Sequence, residues 1–216
     1  MERDRNRTEQ SLIDAVSSLV REKGVPALGV NAVAARAGVA KMLIYRYFGS
    51  FDGLLEEWAL RYSYWSEQSA AFWKGALDGM SSRQQVKELF RRQLRSLRED
   101  PLKREVLRWI LTADHPVARK VLRRVEEEGH AVNDYFSRRI ATKKDSEPHI
   151  AVLIGGIYYL SLIADRSEVF NGVPLDREEG WKRIETAVEE MVESLLGAET
   201  AETGESDETD EKGEES

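Results

Sequence analysis

Apolar positions recur at helical spacing along most of the chain. Leu12, Ile13, Val16, Leu19 and Val20 fall three and four residues apart and stop at Gly24, which predicts one amphipathic helix with a glycine end. The same reading predicts helices at about residues 4–23, 31–37, 41–47, 50–73, 82–99, 101–113, 116–141, 148–168 and 176–196. Pro26, Pro101, Pro116, Pro148 and Pro174 fall between or at the edges of these segments. Asp100-Pro101, His115-Pro116 and Glu147-Pro148 read as helix starts, because a first-turn proline gives up an N–H that has no partner there anyway. No stretch keeps the period-two alternation of a half-buried strand, so no sheet is predicted. There is no internal repeat and no glycine-rich phosphate loop.

The character of the pattern changes near residues 48–53. Before it lie three short helical segments with basic residues; after it lie longer helices richer in Trp and Tyr. The expected fold is therefore all-α. A three-helix unit spans residues 1–50, with its motif at about 28–48, and a larger helical domain spans residues 51–197. Residues 198–216 carry nine acids and one lysine with no large apolar side chain, and are expected to be a disordered acidic tail. Its roles on charge grounds are a solubilising appendage or a competitor for a basic face.

Within the first unit, two short helices hinge at Gly38. Ala34, four residues earlier, is small enough for two helices to cross closely, and glycine takes the left-handed conformation of a tight turn. Val33, Ala37, Val39, Ile44 and Phe48 supply a buried face. Lys41, Met42, Tyr45 and Tyr47 are left to point outward from the second helix. A cation and phenols on an exposed short helix suit a DNA groove. A phenol with an apolar body also serves as core, so Tyr45 and Tyr47 each have that second reading.

The stretch from about Arg7 to Leu54 resembles the tetracycline-repressor (TetR) family of helix-turn-helix transcriptional regulators. The likeness rests on the Ala-x-x-x-Gly-Val turn at residues 34–39, on Ile44-Tyr45-Arg46-Tyr47-Phe48, and on Ser50 with Leu54 opening the next helix. The resemblance implies that Lys41, Met42, Tyr45 and Tyr47 lie where the recognition helix meets DNA, and that Asn31 reaches a base or phosphate from the second helix. It also implies a ligand-responsive repressor acting as a cytoplasmic homodimer on a pseudo-palindromic operator, with a small-molecule effector. Gly29-Val30, Leu43 and Phe51 replace polar residues common in the family, each removing a possible phosphate contact. Arg46, with Arg3, Arg5 and Arg7 as an arm, supplies compensating charge or merely solvates the surface. These replacements motivate the rival reading, a helical ligand-sensing or interaction protein with weakened DNA binding.

Charge changes the picture only once it is divided. The net charge is −7, but residues 198–216 hold −8 of it, and residues 1–50 carry +3. The chain has no cysteine, so thiol catalysis, disulfides and zinc-thiolate sites are excluded. His115, His130 and His149 lack metal-ligand spacing, no catalytic constellation stands out, and no cofactor or metal is expected. Residues 1–10 are charged with no apolar stretch following, unlike a secretory leader.

The larger domain offers two further expectations. Aromatic residues Trp65, Phe72, Trp109, Tyr135 and Tyr158 are candidates for lining an effector cavity, with core packing as the alternative. Gln68, Gln93, His130 and Asn133 are the polar groups that would orient a ligand. Residues 150–164 are apolar on nearly every face but short for a bilayer span, and contain Gly155-Gly156. Ile154, Ile157 and Leu160 with Trp181, Ile184, Val188 and Met191 are therefore expected at a two-fold interface, or as a core helix pair in a monomer. Ser161 and Ala164 add small surfaces for close approach.

Overall fold

The computed structural model describes residues 2–142 and 145–199. The first unit is α1 (Glu2–Lys23), a single 3-10 turn (Val25–Ala27), α2 (Val30–Ala37) and α3 (Met42–Phe48). Then come α4 (Phe51–Tyr62), α5 (Tyr64–Trp73), α6 (Ser82–Glu99), α7 (Pro101–Thr112) and α8 (Pro116–Ser137). Strand β1 (Ile140–Thr142) precedes α9 (Ser146–Ile163), β2 (Val169–Phe170), β3 (Val173–Pro174), α10 (Glu178–Leu195) and β4 (Leu196–Glu199). The expected all-α fold is observed. The expected tail falls almost wholly at 200–216, outside the described residues.

Helix starts follow the local chemistry. Ser81 and Gln84 form a reciprocal capping box at α6. Asp100 accepts the Leu102 N–H at 2.9 Å ahead of Pro101, and His115 Nδ1 accepts the Val117 N–H at 3.2 Å ahead of Pro116. Pro148 lies inside the first turn of α9, which opens at Ser146.

Three segments differ from the helical reading. The expected helix at 50–73 breaks at Ser63, whose backbone is extended (φ −66°, ψ 124°), so α4 and α5 point differently. The expected helix at 116–141 ends at Ser137, because β1 pairs antiparallel with β4. The segment at 148–168 ends at Ile163 and gives way to a hairpin, with β2 and β3 joined by Asn171-Gly172. Both turn residues have positive φ (47° and 76°), as a two-residue hairpin matched to strand twist requires. The expectation of no sheet is thus corrected by two minimal two-stranded sheets.

One continuous core runs from the first unit into the larger domain. Leu12, Ile13 and Val16 of α1, Val33 of α2, Ile44 of α3 and Leu54 and Trp58 of α4 are fully buried. The Trp58 indole N–H donates to Ser17 Oγ on α1 at 3.1 Å, and Ser17 in turn donates to the Ile13 carbonyl. On its other side the Trp58 ring meets Trp109 of α7, with centroids 6.2 Å apart. The first unit and the larger domain therefore share one buried indole.

A ladder of ion pairs joins α6 to α10. Arg83 and Lys87 pair with Glu193. Arg91 pairs with Glu185 and with Glu189, the latter at 2.6 Å. Arg98 pairs with Glu178 and lies over the Trp181 ring. With Arg95, which also reaches Glu185, the bases recur every three or four residues, and the facing acids fall four or seven residues apart, so the helices engage along their length.

Two outcomes are expected. The Arg98 hydrogen bond holds the Glu178 carboxyl below its ordinary value of 4.5, and the Lys87 and Arg83 hydrogen bonds do the same for Glu193. A carboxyl depressed in the folded state adds stability above its unfolded pKa and loses it as pH falls through the folded value. Urea midpoints should thus be flat above about pH 5 and fall below about 4.5. The E178Q/E193Q variant should start lower at neutral pH and fall less steeply. Trp58→Ala should cost about 3–5 kcal/mol in urea unfolding, from cavity formation around a large buried ring.

Candidate nucleic-acid interface and the cavity behind it

The turn between α2 and α3 is made by Gly38, which sits in the left-handed region (φ 67°, ψ 30°). Its N–H bonds back to Ala35, and the Val39 N–H bonds to the Ala34 carbonyl at 3.1 Å. This closes α2 and redirects the chain into α3. Ala34 is buried, which is the close crossing its size permits. Val33 and Ile44 are wholly buried, while Val39 and Phe48 pack against the core from its edge. Ser50 caps α4 by accepting the Gly53 N–H at 2.9 Å.

With Ile44 as its inward anchor, α3 turns a polar and soft face to solvent. Met42 is 70% exposed and Tyr45 48% exposed, and Lys41 and Arg46 are also exposed. Asn31 is exposed on the first turn of α2. Tyr47 differs from the others. It is half-buried against the core, with the Arg5 and Arg46 guanidinium groups 5.6 and 5.9 Å from its ring centre. Tyr47 thus ties the first turn of α1 to the end of α3. Leu43 and Phe51 are half-buried, and Phe51 packs against the core. The Arg3 side chain lies outside what the structure describes.

A second tie was not visible in the sequence. The Arg36 fork on α2 donates to both Glu22 oxygens of α1, at 2.6 and 2.7 Å, and to Ser18. The Arg36 hydrogen bond holds the Glu22 carboxyl below its ordinary value. The pair fixes α2 against α1 and occupies the one arginine of α2. Its partners are fourteen residues apart, and no periodic pattern links them.

A cavity of about 350 Å³ opens in the larger domain between α5, α6, α8, α9 and the β1–β4 end. Trp65 lines it, as do Gln93, His130 and Asn133. Phe72, Trp109, Tyr135 and Tyr158 do not. Phe72 is buried against Trp73, Tyr135 and Phe136, and Trp109 packs on Trp58 and His115. The Tyr135 ring stacks beneath Arg139 at 3.7 Å. Burial, with the Glu126 carboxylate adding to it, pushes the Tyr158 hydroxyl up to about 12, and a hydrogen bond with the buried Gln93 offsets part of the rise. The break at Ser63 explains the division among the aromatics. It sends Trp58 into the core and Trp65 to the cavity, instead of setting both along one helix. Among the described residues no group of three or more His, Asp or Glu could hold a metal ion.

The outer face of α9 and α10 carries a groove of about 600 Å³. Ile157, Ile184 and Val188 are buried at its floor, where they join the two helices within the chain. Leu160 is half-buried in its wall and Met191 is 55% exposed. Ile154 faces the cavity instead, and Trp181 is buried with its N–H donated to the Leu175 carbonyl at 2.7 Å. Ser161 is wholly buried rather than on the surface. Val152, 77% exposed, and the open Gly155 and Gly156 complete the outer face. Only 17% of the apolar helix Ser146–Ile163 is buried.

Comparison with known proteins adds the family. The profile described as bacterial regulatory proteins, tetR family, matches residues 12–58. No curated protein sequence matches the chain. A TetR family transcription regulator from Marinobacter aquaeolei VT8 is similar in structure, with a TM-score of 0.63 at 18% identity, over 92% of this chain and 100% of that one. NalD of Pseudomonas aeruginosa, the secondary repressor of the MexAB-OprM multidrug efflux pump, gives 0.62 at 19%, over 89% and 98%. FadR of Bacillus subtilis, solved with stearoyl-CoA, gives 0.65 at 16%, over 86% and 98%. Residues 12–58 therefore match the tetR family of bacterial regulatory proteins, on a chain that shares the fold of structures described as TetR-family transcription regulators.

Proposed function

We propose that this protein is a cytoplasmic, ligand-responsive repressor that grips a pseudo-palindromic operator as a homodimer. The observation that carries the reading is the division of α3: Ile44 is fully buried, while Lys41, Met42, Tyr45 and Arg46 face solvent together. A short helix held this way enters a major groove with its outward side chains against phosphates and base edges. Lys41 reaches phosphate or a guanine edge, Tyr45 gives its hydroxyl to phosphate, and Asn31 adds a contact from α2. Tyr47 holds α3 in position through its cation–π contacts instead of meeting DNA. The inward packing of Phe51 weakens the rival reading, because that departure adds core contact while the outward set remains.

The dimer follows from the uncovered apolar surface. A helix as apolar as α9, with only Leu153, Ile157 and Ser161 buried and Val152 open to solvent, needs a partner, and a second copy of the α9–α10 pair makes a four-helix bundle about a two-fold axis. Two recognition helices then address successive grooves. An effector in the cavity acts by preferring an arrangement that mis-spaces them. A 100-fold loss of operator affinity needs about 2.7 kcal/mol of coupling. NalD, a repressor linked to an efflux pump, and FadR, solved with an acyl-CoA, support the general reading of a small-molecule-responsive repressor.

Operator binding by K41A/Y45A, measured by gel shift on a fragment selected from genomic DNA, should weaken at least about tenfold while the dimer stays folded. The slope of log affinity against log salt should shrink by about one, from loss of a lysine contact to phosphate. Unchanged affinity would remove the assignment of α3. Independently, V152E/M191E should shift the protein to monomer in sedimentation and lower operator affinity steeply, while its circular dichroism stays helical. A variant that remains dimeric would place the interface elsewhere.

A further inference from the structure

The proposed effector cavity carries a charge signature that narrows what it accepts. Two carboxylates line it, Glu126 from α8 and Glu147 from the first turn of α9. Both are exposed. Neither belongs to any ion pair found among the described residues, in a chain whose other acids pair extensively along α6 and α10. No lysine or arginine is among the described lining residues. Trp65, Phe90 and Phe136 add aromatic surface to an otherwise aliphatic wall.

Two further details show how the wall is built. A Cβ added at Gly129 would lie 2.6 Å from the Trp65 indole nitrogen, so the indole lies against α8 only because that position is glycine. Gln93, 2% exposed, places a neutral amide at the inner end. The chemistry of the wall is then apolar and aromatic surface, the neutral polar groups of Gln93 and Asn133, the imidazole of His130, and the two exposed carboxylates. An organic anion would meet two carboxylates that have no ion-pair partner among the described residues. A cation gains from them and from the aromatic faces, since a ring presents negative potential to a cation above it.

We infer that the cavity between α5, α6, α8 and α9 selects lipophilic organic cations, with Glu126 and Glu147 as the charge-selecting residues and Trp65 as the aromatic wall. This rests on the effector reading above and adds the ligand's class. A volume of about 350 Å³ suits a small aromatic ring with a short arm.

The test uses three probes that share a body and differ in charge: 4-phenylbutyltrimethylammonium, 4-phenyl-1-butanol and 4-phenylbutanoate. Each is titrated calorimetrically into the full-length protein, wild type and E126Q/E147Q, and each is added to the operator gel shift. The cation should bind at least about tenfold tighter than the anion, equivalent to about 1.4 kcal/mol. In E126Q/E147Q that preference should fall to about threefold or less, while the neutral alcohol binds as before. Circular dichroism of the variant confirms its fold. If the anion binds as tightly as the cation, or the preference survives in E126Q/E147Q, the charge class is overturned and the cavity stands as a site for another ligand. If none of the three binds and none releases the operator, the effector reading of the cavity falls along with it.

Discussion

Trp58 is the constraint on which the two halves of the molecule depend. It is fully buried, its N–H is committed to Ser17 of α1, and its ring lies against Trp109 of α7. A buried indole that lost this acceptor would leave an unsatisfied donor, and a smaller side chain would open a cavity at the junction. The helix-turn-helix unit is therefore not a bead on a tether. Its orientation is set by the same packing that holds α7, so a change in the larger domain has a stiff route to α3. Trp65 lies on the far side of the break at Ser63 and faces the cavity. The cavity wall and the domain junction are thus seven residues apart in the chain, on either side of that break.

What the core leaves uncovered is as informative as what it buries. In α3 the inward anchor is a single Ile44, so nearly every other position is free to face outward or sit at the edge. Two cation-bearing contacts brace the small unit from outside the core: Arg36 on Glu22, and Arg5 with Arg46 on Tyr47. The unit gains rigidity from these without spending Lys41 or Tyr45 on internal contacts. At the opposite side α9 and α10 are joined to each other and to α6, yet keep an apolar groove open. The α6–α10 ion pairs hold α10 from behind, so that groove is presented on a supported surface.

The helices were legible because their signals are local. Leu12 to Val20 repeat at helical spacing, Pro101 and Pro116 open helices where the dihedral and the missing N–H suit them, and Gly38 makes the turn its position implied. The misses have local explanations as well. Asn171-Gly172 between Val169-Phe170 and Val173 is a strong hairpin signal, in a stretch between two predicted helices whose strands are only two residues long and so show no alternation. The break at Ser63 has no glycine or proline to announce it. Strand β1 is three residues long, and it exists only because β4 returns beside it from more than fifty positions away.

The candidate site residues divide along the same line, and the reason is physical. The α3 helix is one short local element, so its outward positions follow from its inward ones: once Ile44 is the anchor, Lys41, Met42 and Tyr45 fall outside. A cavity is made by elements distant in sequence, and no single helix's period reports which of its faces meets empty space. That is why Phe72 and Trp109, good candidates by type, are core, while Glu126, Glu147 and Gly129 are in the wall despite looking like ordinary helix surface. Residue type told where aromatic surface was available. Only the crossing of α5 with α8, made close by a glycine, decided that one tryptophan of five would face the cavity.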